Sequence, residues 1–192
     1  GIGELYPAAF RGWLKNDVMW VNSLVDRIVS EPLEPAGAVA EPYALWAIED
    51  QPGLVLPCAH VNVRPVPSLE PVETLKLFIL NLGHTYLVSR WLADKGAARH
   101  EFVRDMLADP AAAADLQELY AREVVPGFAA HDRKDDAETY IQTTRDRFRN
   151  PFLDHKLADI AQNHTEKVER RIGAYLAWAR NADAAFSAPR LE

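Results

Sequence analysis

The sequence predicts a mainly α-helical domain with a small β element near its N-terminus. Three observations carry this reading. From Glu70 onward, apolar residues recur at helical spacing, as in Leu116, Leu119, Tyr120 and Val124, and again in Val168, Ile172, Tyr175, Leu176 and Trp178. Before Glu70, short stretches rich in β-branched and aromatic residues are punctuated by turn formers. Between the two lies a connection with prolines at 52, 57, 65 and 67, and Pro71 just beyond. At 192 residues, the chain is long enough to bury the core of one sizeable domain.

The elements follow in order. Gly1 and Gly3 look like the start of a dinucleotide-binding fingerprint, but no strand precedes them and the third glycine position is Tyr6. Residues 5–16 form a short amphipathic stretch. Residues 18–29 read as extended, with Val18, Trp20, Val25, Ile28 and Val29. Pro32, Pro35 and Gly37 make a loop, residues 43–50 a second strand, and residues 59–64 a third. Helices are expected at about 70–94, 97–108, 111–125, 135–148, 151–162 and 164–182. Pro71 suits a first helical turn with Ser68 as N-cap. Residues 131–138, HDRKDDAE, read as a charged connection.

Composition narrows the function classes. A net charge of −7 and a pI near 5.4 argue against nucleic acid and anionic membrane as partners. No apolar run approaches the roughly 20 residues of a membrane span, and the first residues lack a signal-peptide pattern, so a cytoplasmic location is expected. The single cysteine, Cys58, excludes an intrachain disulfide and any multi-cysteine metal site. His60, His100, His131 and His164 have no metal-ligand spacing, and the five tryptophans read as core or interface.

The stretch KLFILNLGHT, residues 76–85, raises a chemical question. It reads as buried helix, yet it holds Lys76, Asn81 and His84. At about 100° per residue these three fall near 0°, 140° and 80°, so they share one face. Burial disfavours the charged form of an amine, so a lysine in such surroundings can exchange a proton near neutral pH. An amide and an imidazole can donate to an oxygen that gains negative charge. Gly83 leaves space for a ligand or another backbone. Amine, amide and imidazole together suit carbinol oxidation or carbonyl reduction. The alternative is structural, with the lysine snorkelling to solvent and the other two satisfied in the core. Arg147 and Arg149 can grip a carboxylate bidentately, or else serve as charges at a helix C-terminus. Asp26 and Arg27 are positioned to pair within the domain.

Four stretches occur in order: VNSLVDRIV (21–29), AEPYALWAIED (40–50), KLFILNLGHT (76–85) and RFRNPFLDH (147–155). Together they resemble the C-terminal part of the long-chain mannitol dehydrogenase family, nearest to its tagaturonate and fructuronate reductase branch. The resemblance implies a multi-helical fold like the C-terminal domain of 6-phosphogluconate dehydrogenase. It implies one substrate-binding and catalytic domain over residues 1–192, with NAD(P) bound mainly by a Rossmann domain N-terminal to it and no catalytic metal. It would make Lys76 the general acid/base, with Asn81 and His84 polarising the reacting oxygen and Arg147 and His155 near substrate hydroxyls or a carboxylate. A chain lacking the Rossmann half is then expected to fold but not to turn over. Two positions depart from the family pattern: Leu82 stands where a small residue is usual, and QNHTEK (162–167) keeps only its Lys167. The alternatives are a polyol dehydrogenase such as a mannitol 2-dehydrogenase, and a helical interaction or dimerisation module without catalysis. Nothing in the sequence sets the oligomeric state.

Overall fold

The computed structural model describes residues 6–94 and 100–192. They form two compact units. The smaller is built from the chain up to Val25 and from Leu45–Leu69. It contains α1 (Ala8–Asn16) and a three-stranded sheet in the order β1 (Ser23–Asp26), β4 (Leu45–Glu49), β5 (Val63–Val66). β4 and β5 run parallel, with Trp46 opposite Val63 and Ile48 opposite Pro65. Pro65 has no N–H for a ladder, which fits its place on an edge strand. Ala47 and Ile48 are the buried residues of β4. The amide of Asn22 donates to Glu49 (2.8 Å) and that of Gln51 to the Trp20 carbonyl (2.9 Å). Two details of the sequence reading shift: the third strand lies at Val63–Val66 instead of 59–64, and the long 18–29 strand is two short ones interrupted at Arg27 and Ile28.

The larger unit takes Asp26–Ala44 and Glu70–Glu192. Its first part is an antiparallel hairpin, β2 (Val29–Leu33) and β3 (Gly37–Ala40), with a bulge between Val29 and Glu31. The rest is helical. The central rod joins α2 (Glu70–Leu75), a π-helical segment (Lys76–Asn81) and α3 (Leu82–Ala93) without a break. A second rod joins α5 (Pro110–Leu119), a π segment (Tyr120–Val124) and α6 (Val125–Ala129). A third joins α9 (His164–Lys167), a π segment (Val168–Gly173) and α10 (Ala174–Ala182). α4 (Val103–Ala108), α7 (Lys134–Phe148) and the one-turn α8 (Leu157–Ile160) complete the set.

Local chemistry places the ends. Asp109 accepts from the Ala111 N–H (2.8 Å), capping α5, and Pro110 sits where its missing N–H costs nothing. Asp135 and Asp136 occupy the first turn of α7 and Arg145 and Arg147 its last, each complementing the helix dipole. The charged stretch at 131–138 is therefore half helix, because its acids fall where a helix start wants them. The helix expected at 151–162 shrinks to Leu157–Ile160: Asn150 Oδ1 takes the Phe152 N–H (3.0 Å) in a side-chain turn that competes with helix. The helix expected at 97–108 begins at Val103; residues 97–99 of that expectation lie outside the described residues.

The core of this unit is formed where the rods meet. Ile79, Leu82 and Val88 come from the first, Leu119, Tyr120 and Phe128 from the second, Tyr175 and Ala179 from the third, all fully or nearly fully buried. Two glycines permit the close approach. The Tyr120 hydroxyl donates to the Ile79 carbonyl (3.0 Å), and a Cβ on Gly83 would lie 2.0 Å from that hydroxyl. The Tyr175 hydroxyl donates to the Glu123 carbonyl (2.6 Å), and a Cβ on Gly127 would lie 2.1 Å from it. In both cases the glycine stands four residues after the accepting carbonyl and opens lateral access to it. Gly83 thus makes room for the Tyr120 side chain, where the sequence suggested a ligand or another backbone.

Candidate active site

The central rod carries the chemistry. Within Lys76–Asn81 the helix widens, and the Leu82 N–H is shared between the Ile79 and Leu77 carbonyls. Such π-type widening recurs at functional sites because it re-aims side chains and loosens backbone carbonyls. Here it lies between Lys76 and His84. Lys76, Asn81 and His84 all line one cleft of about 360 Å³. The hairpin segment Arg27–Ser30 forms a second side of it, and His155, Asp159, Lys167 and Arg171 a third. Lys76 and Asn81 are partly exposed there, and His84 is 4% exposed.

His84 is held by its neighbours. Its ring lies 4.2 Å from that of Phe148 and 4.6 Å, edge to face, from that of His155. Its Nε2 is buried and has no hydrogen-bond partner among the described residues. Burial pushes its pKa well below the usual imidazole range, and His155, Arg171, Arg147 and Lys167 push the same way. His155 is lowered to about 4, first by burial and then by Lys167, against the opposing pull of Asp159. Its backbone is pinned where its carbonyl accepts from the Val103 N–H (3.0 Å). Both rings are therefore neutral near pH 7, each with one N–H donor and one acceptor.

These depressed values set a pH dependence of stability. Unfolded histidine titrates near 6.5, whereas folded His155 resists protonation until about 4. The unfolded state binds more protons within that window, so the stabilisation present above pH 6.5 is lost as pH falls toward 4. Urea midpoints measured from pH 7.5 to pH 4 should fall, and fall less steeply in His155→Asn. Parallel curves for the two proteins would remove His155 as the cause.

Arg147 requires a correction. It does not line the cleft. Its Nη1 and Nη2 donate to Asp26 (3.0 and 2.9 Å) and its Nε and Nη2 to Glu41 (3.0 and 2.8 Å). All three residues are buried, Tyr43 lies under the guanidinium at 4.1 Å, and the Tyr140 hydroxyl donates to Asp26 (2.6 Å). Burial opposes the charge, but the hydrogen bonds that the guanidinium donates to Asp26 and Glu41 overcome it and hold it firmly protonated. The grip expected for a substrate is spent on two internal carboxylates, fastening the hairpin to α7. Asp26 pairs with Arg147, and Arg27 donates instead to the Glu41 carbonyl (3.0 Å).

Sequence reasoning missed Asp159 and Arg171 and gave Lys167 no role. The available signal was the spacing: Lys167 and Arg171 are four apart and so share a helical side. Lys167 Nζ donates to the Ile160 carbonyl (2.8 Å). Arg171 Nη1 donates to Thr85 Oγ1 (3.1 Å) and approaches the Asn81 carbonyl (3.4 Å). The lining offers an amine, an amide, two neutral imidazoles, three further cations (Arg27, Lys167 and Arg171) and the carboxylates of Asp26 and Asp159 to a polar guest. Such a set can donate to a carbonyl or alkoxide oxygen and take up or release its proton.

Comparison with known proteins places this geometry in context. The family described as mannitol dehydrogenase C-terminal domain matches residues 68–188. The altronate oxidoreductase of Yersinia pestis is 30% identical, covering 86% of this chain and 37% of its own length. That of Bacillus subtilis is 30% identical, covering 84% and 36%. The chain thus spans well under half the length of the curated relatives it matches. In the crystal structure of a substrate-free D-sorbitol dehydrogenase the same fold recurs with a TM-score of 0.71 at 21% identity, covering 90% of this chain and 38% of that one. A ternary complex of Pseudomonas fluorescens mannitol 2-dehydrogenase with NAD and D-mannitol gives 0.58 at 20% identity, covering 93% and 40%.

Proposed function

The chain belongs to the mannitol dehydrogenase C-terminal domain family, and on that premise we propose that it is the substrate-side, catalytic part of a longer NAD(P)-dependent oxidoreductase that interconverts a keto sugar acid of the tagaturonate or fructuronate type and its hydroxy acid. The observation that carries this reading is the grouping of Lys76, Asn81 and His84 on one cleft, with His155 packed against His84. Lys76 is the proton-transfer group. Asn81 and His84 hold the reacting oxygen, the unpartnered Nε2 of His84 being the donor or acceptor that a substrate oxygen completes. The nicotinamide cofactor, held mainly by the parent's remaining chain, supplies or accepts the hydride. The substrate class rests on the altronate oxidoreductase relatives and on the cationic character of one cleft wall.

The test is a substrate panel on the full-length parent, following NADH at 340 nm. Altronate should be oxidised with the highest kcat/KM. Preference for mannitol or sorbitol would move the assignment to a polyol dehydrogenase. No turnover of any of the three, nor of mannonate, the hydroxy acid of fructuronate, would leave a helical interaction module.

A further inference from the structure

We propose that Lys167 and Arg171 form a clamp for the carboxylate of the sugar-acid substrate, on the cleft that Lys76 also lines; the proposal rests on the functional reading above. Lys167 ends α9 and Arg171 follows four residues later in the third rod's π segment. Both line the cleft, and both, with Asn81, also line an adjoining recess of about 310 Å³. They stand at the boundary between the two spaces.

Their bonding aims them without neutralising them. Lys167 gives one proton to the Ile160 carbonyl, and Arg171 uses only Nη1, on Thr85 and Asn81. All these acceptors are uncharged. Among the described residues neither cation forms an ion pair, and the nearby Glu166 is occupied with Arg170 (3.2 Å). The contrast with Arg147, which has two buried carboxylates to itself, is direct. A chain of net charge −7 has no shortage of acids, and Asp159 lines the same wall, yet among the described residues neither half-buried cation is paired with it. Burial, and after it a neighbouring cation (Arg171 beside Lys167, Arg170 beside Arg171), disfavours each charge, a cost that an incoming anion offsets. The Nε–Nη2 edge of Arg171, with no protein acceptor among the described residues, has the fork geometry that matches a carboxylate, and Lys167 adds a point charge beside it.

The same placement fixes direction. Arg171 reaches Asn81 at the end of the π segment whose first residue is Lys76. A sugar acid held by its carboxylate at Lys167 and Arg171 therefore runs along the rod past Asn81 and His84, and brings a carbonyl several carbons away toward Lys76.

The test uses the full-length parent with altronate and with altritol, which replaces the carboxylate by a hydroxymethyl group. Arg171→Gln should lower kcat/KM for altronate about 10–100-fold more than for altritol, the range for a lost charge-assisted bond, with the loss mainly in KM. Arg171→Lys should recover part of it. Lys167→Gln, which leaves the Thr85 and Asn81 contacts intact, should reproduce the effect in weaker form. Equal losses on both substrates, unrescued by lysine, would overturn the clamp and make Arg171 a support for Asn81. A parent that oxidises altritol but not altronate would overturn the clamp together with the functional reading. Retained altronate preference in both variants would overturn the clamp alone.

Discussion

Lys76→Ala in the full-length parent should lower turnover by about 10²–10⁴-fold, the contribution of a general acid–base group. The loss should appear in kcat and kcat/KM alike, because the proton moves only in the chemical step. The fold should persist. Lys76 is partly exposed at the cleft, and its truncation leaves the buried neighbours Phe78, Ile79 and Leu80 untouched. Far-UV circular dichroism and the urea midpoint should therefore match the parent. A small primary amine added to the assay should restore part of the turnover by occupying the vacated space. Asn81→Ala should cost less, about 10²–10³-fold, the range for one oxyanion donor. Near-normal turnover of Lys76→Ala with a lowered midpoint would assign the lysine a structural role, and the acid–base group would have to be sought elsewhere.

Arg147→Met should be the most destabilising single change in the larger unit, by about 3–5 kcal/mol. Asp26 and Glu41 are each 1% exposed, and the arginine is their shared counter-ion. Its removal leaves two carboxylates buried a short distance apart with no compensating charge. The midpoint of thermal unfolding should drop by on the order of 10 °C. Replacing all three, as Asp26→Leu, Glu41→Met and Arg147→Met, should recover much of the loss, because an apolar set of similar volume carries no desolvation cost. A drop under about 1 kcal/mol for Arg147→Met alone would mean that water reaches the carboxylates and that the hairpin is fastened by other contacts.

The two experiments divide along a line that also separates what the sequence reveals from what it hides. The central rod was legible because Leu77, Phe78, Ile79, Leu80 and Leu82 are apolar almost all round, as befits a helix packed on several sides. The shared face of Lys76, Asn81 and His84 followed from spacing alone, since all three lie within nine residues. Arg147 was misread because its partners lie 106 and 121 residues away, and no local pattern announces a contact at that range. The π segments escaped for a related reason. Their residues are ordinary helix formers, and the widening comes with tertiary packing, as where Tyr120 reaches the Ile79 carbonyl. Gly83 was correctly marked as a place of close approach, but the approaching group was a tyrosine drawn from another rod. The third cleft wall stayed hidden because Lys167 and Arg171 sit on an exposed-looking charged helix, and only the tertiary fold turns that side inward.

The two tyrosine–glycine interlocks also bear on how the helical unit assembles in time. They tie residues 41 and 52 positions apart, Tyr120 to Ile79 and Tyr175 to Glu123. Helical turns form in microseconds or less, but a contact across 40 or 50 residues must first meet the entropy of closing that loop. Each interlock joins one rod to the next, first to second by Tyr120 and second to third by Tyr175, while Arg171 ties the third back to the first. The helices can flicker into existence independently, yet none of these carbonyls gains its tyrosine until neighbouring rods have docked in the correct register. The unit should therefore lack a stable half-assembled form, with its protection against hydrogen exchange along the rod interiors rising and falling together as one cooperative block.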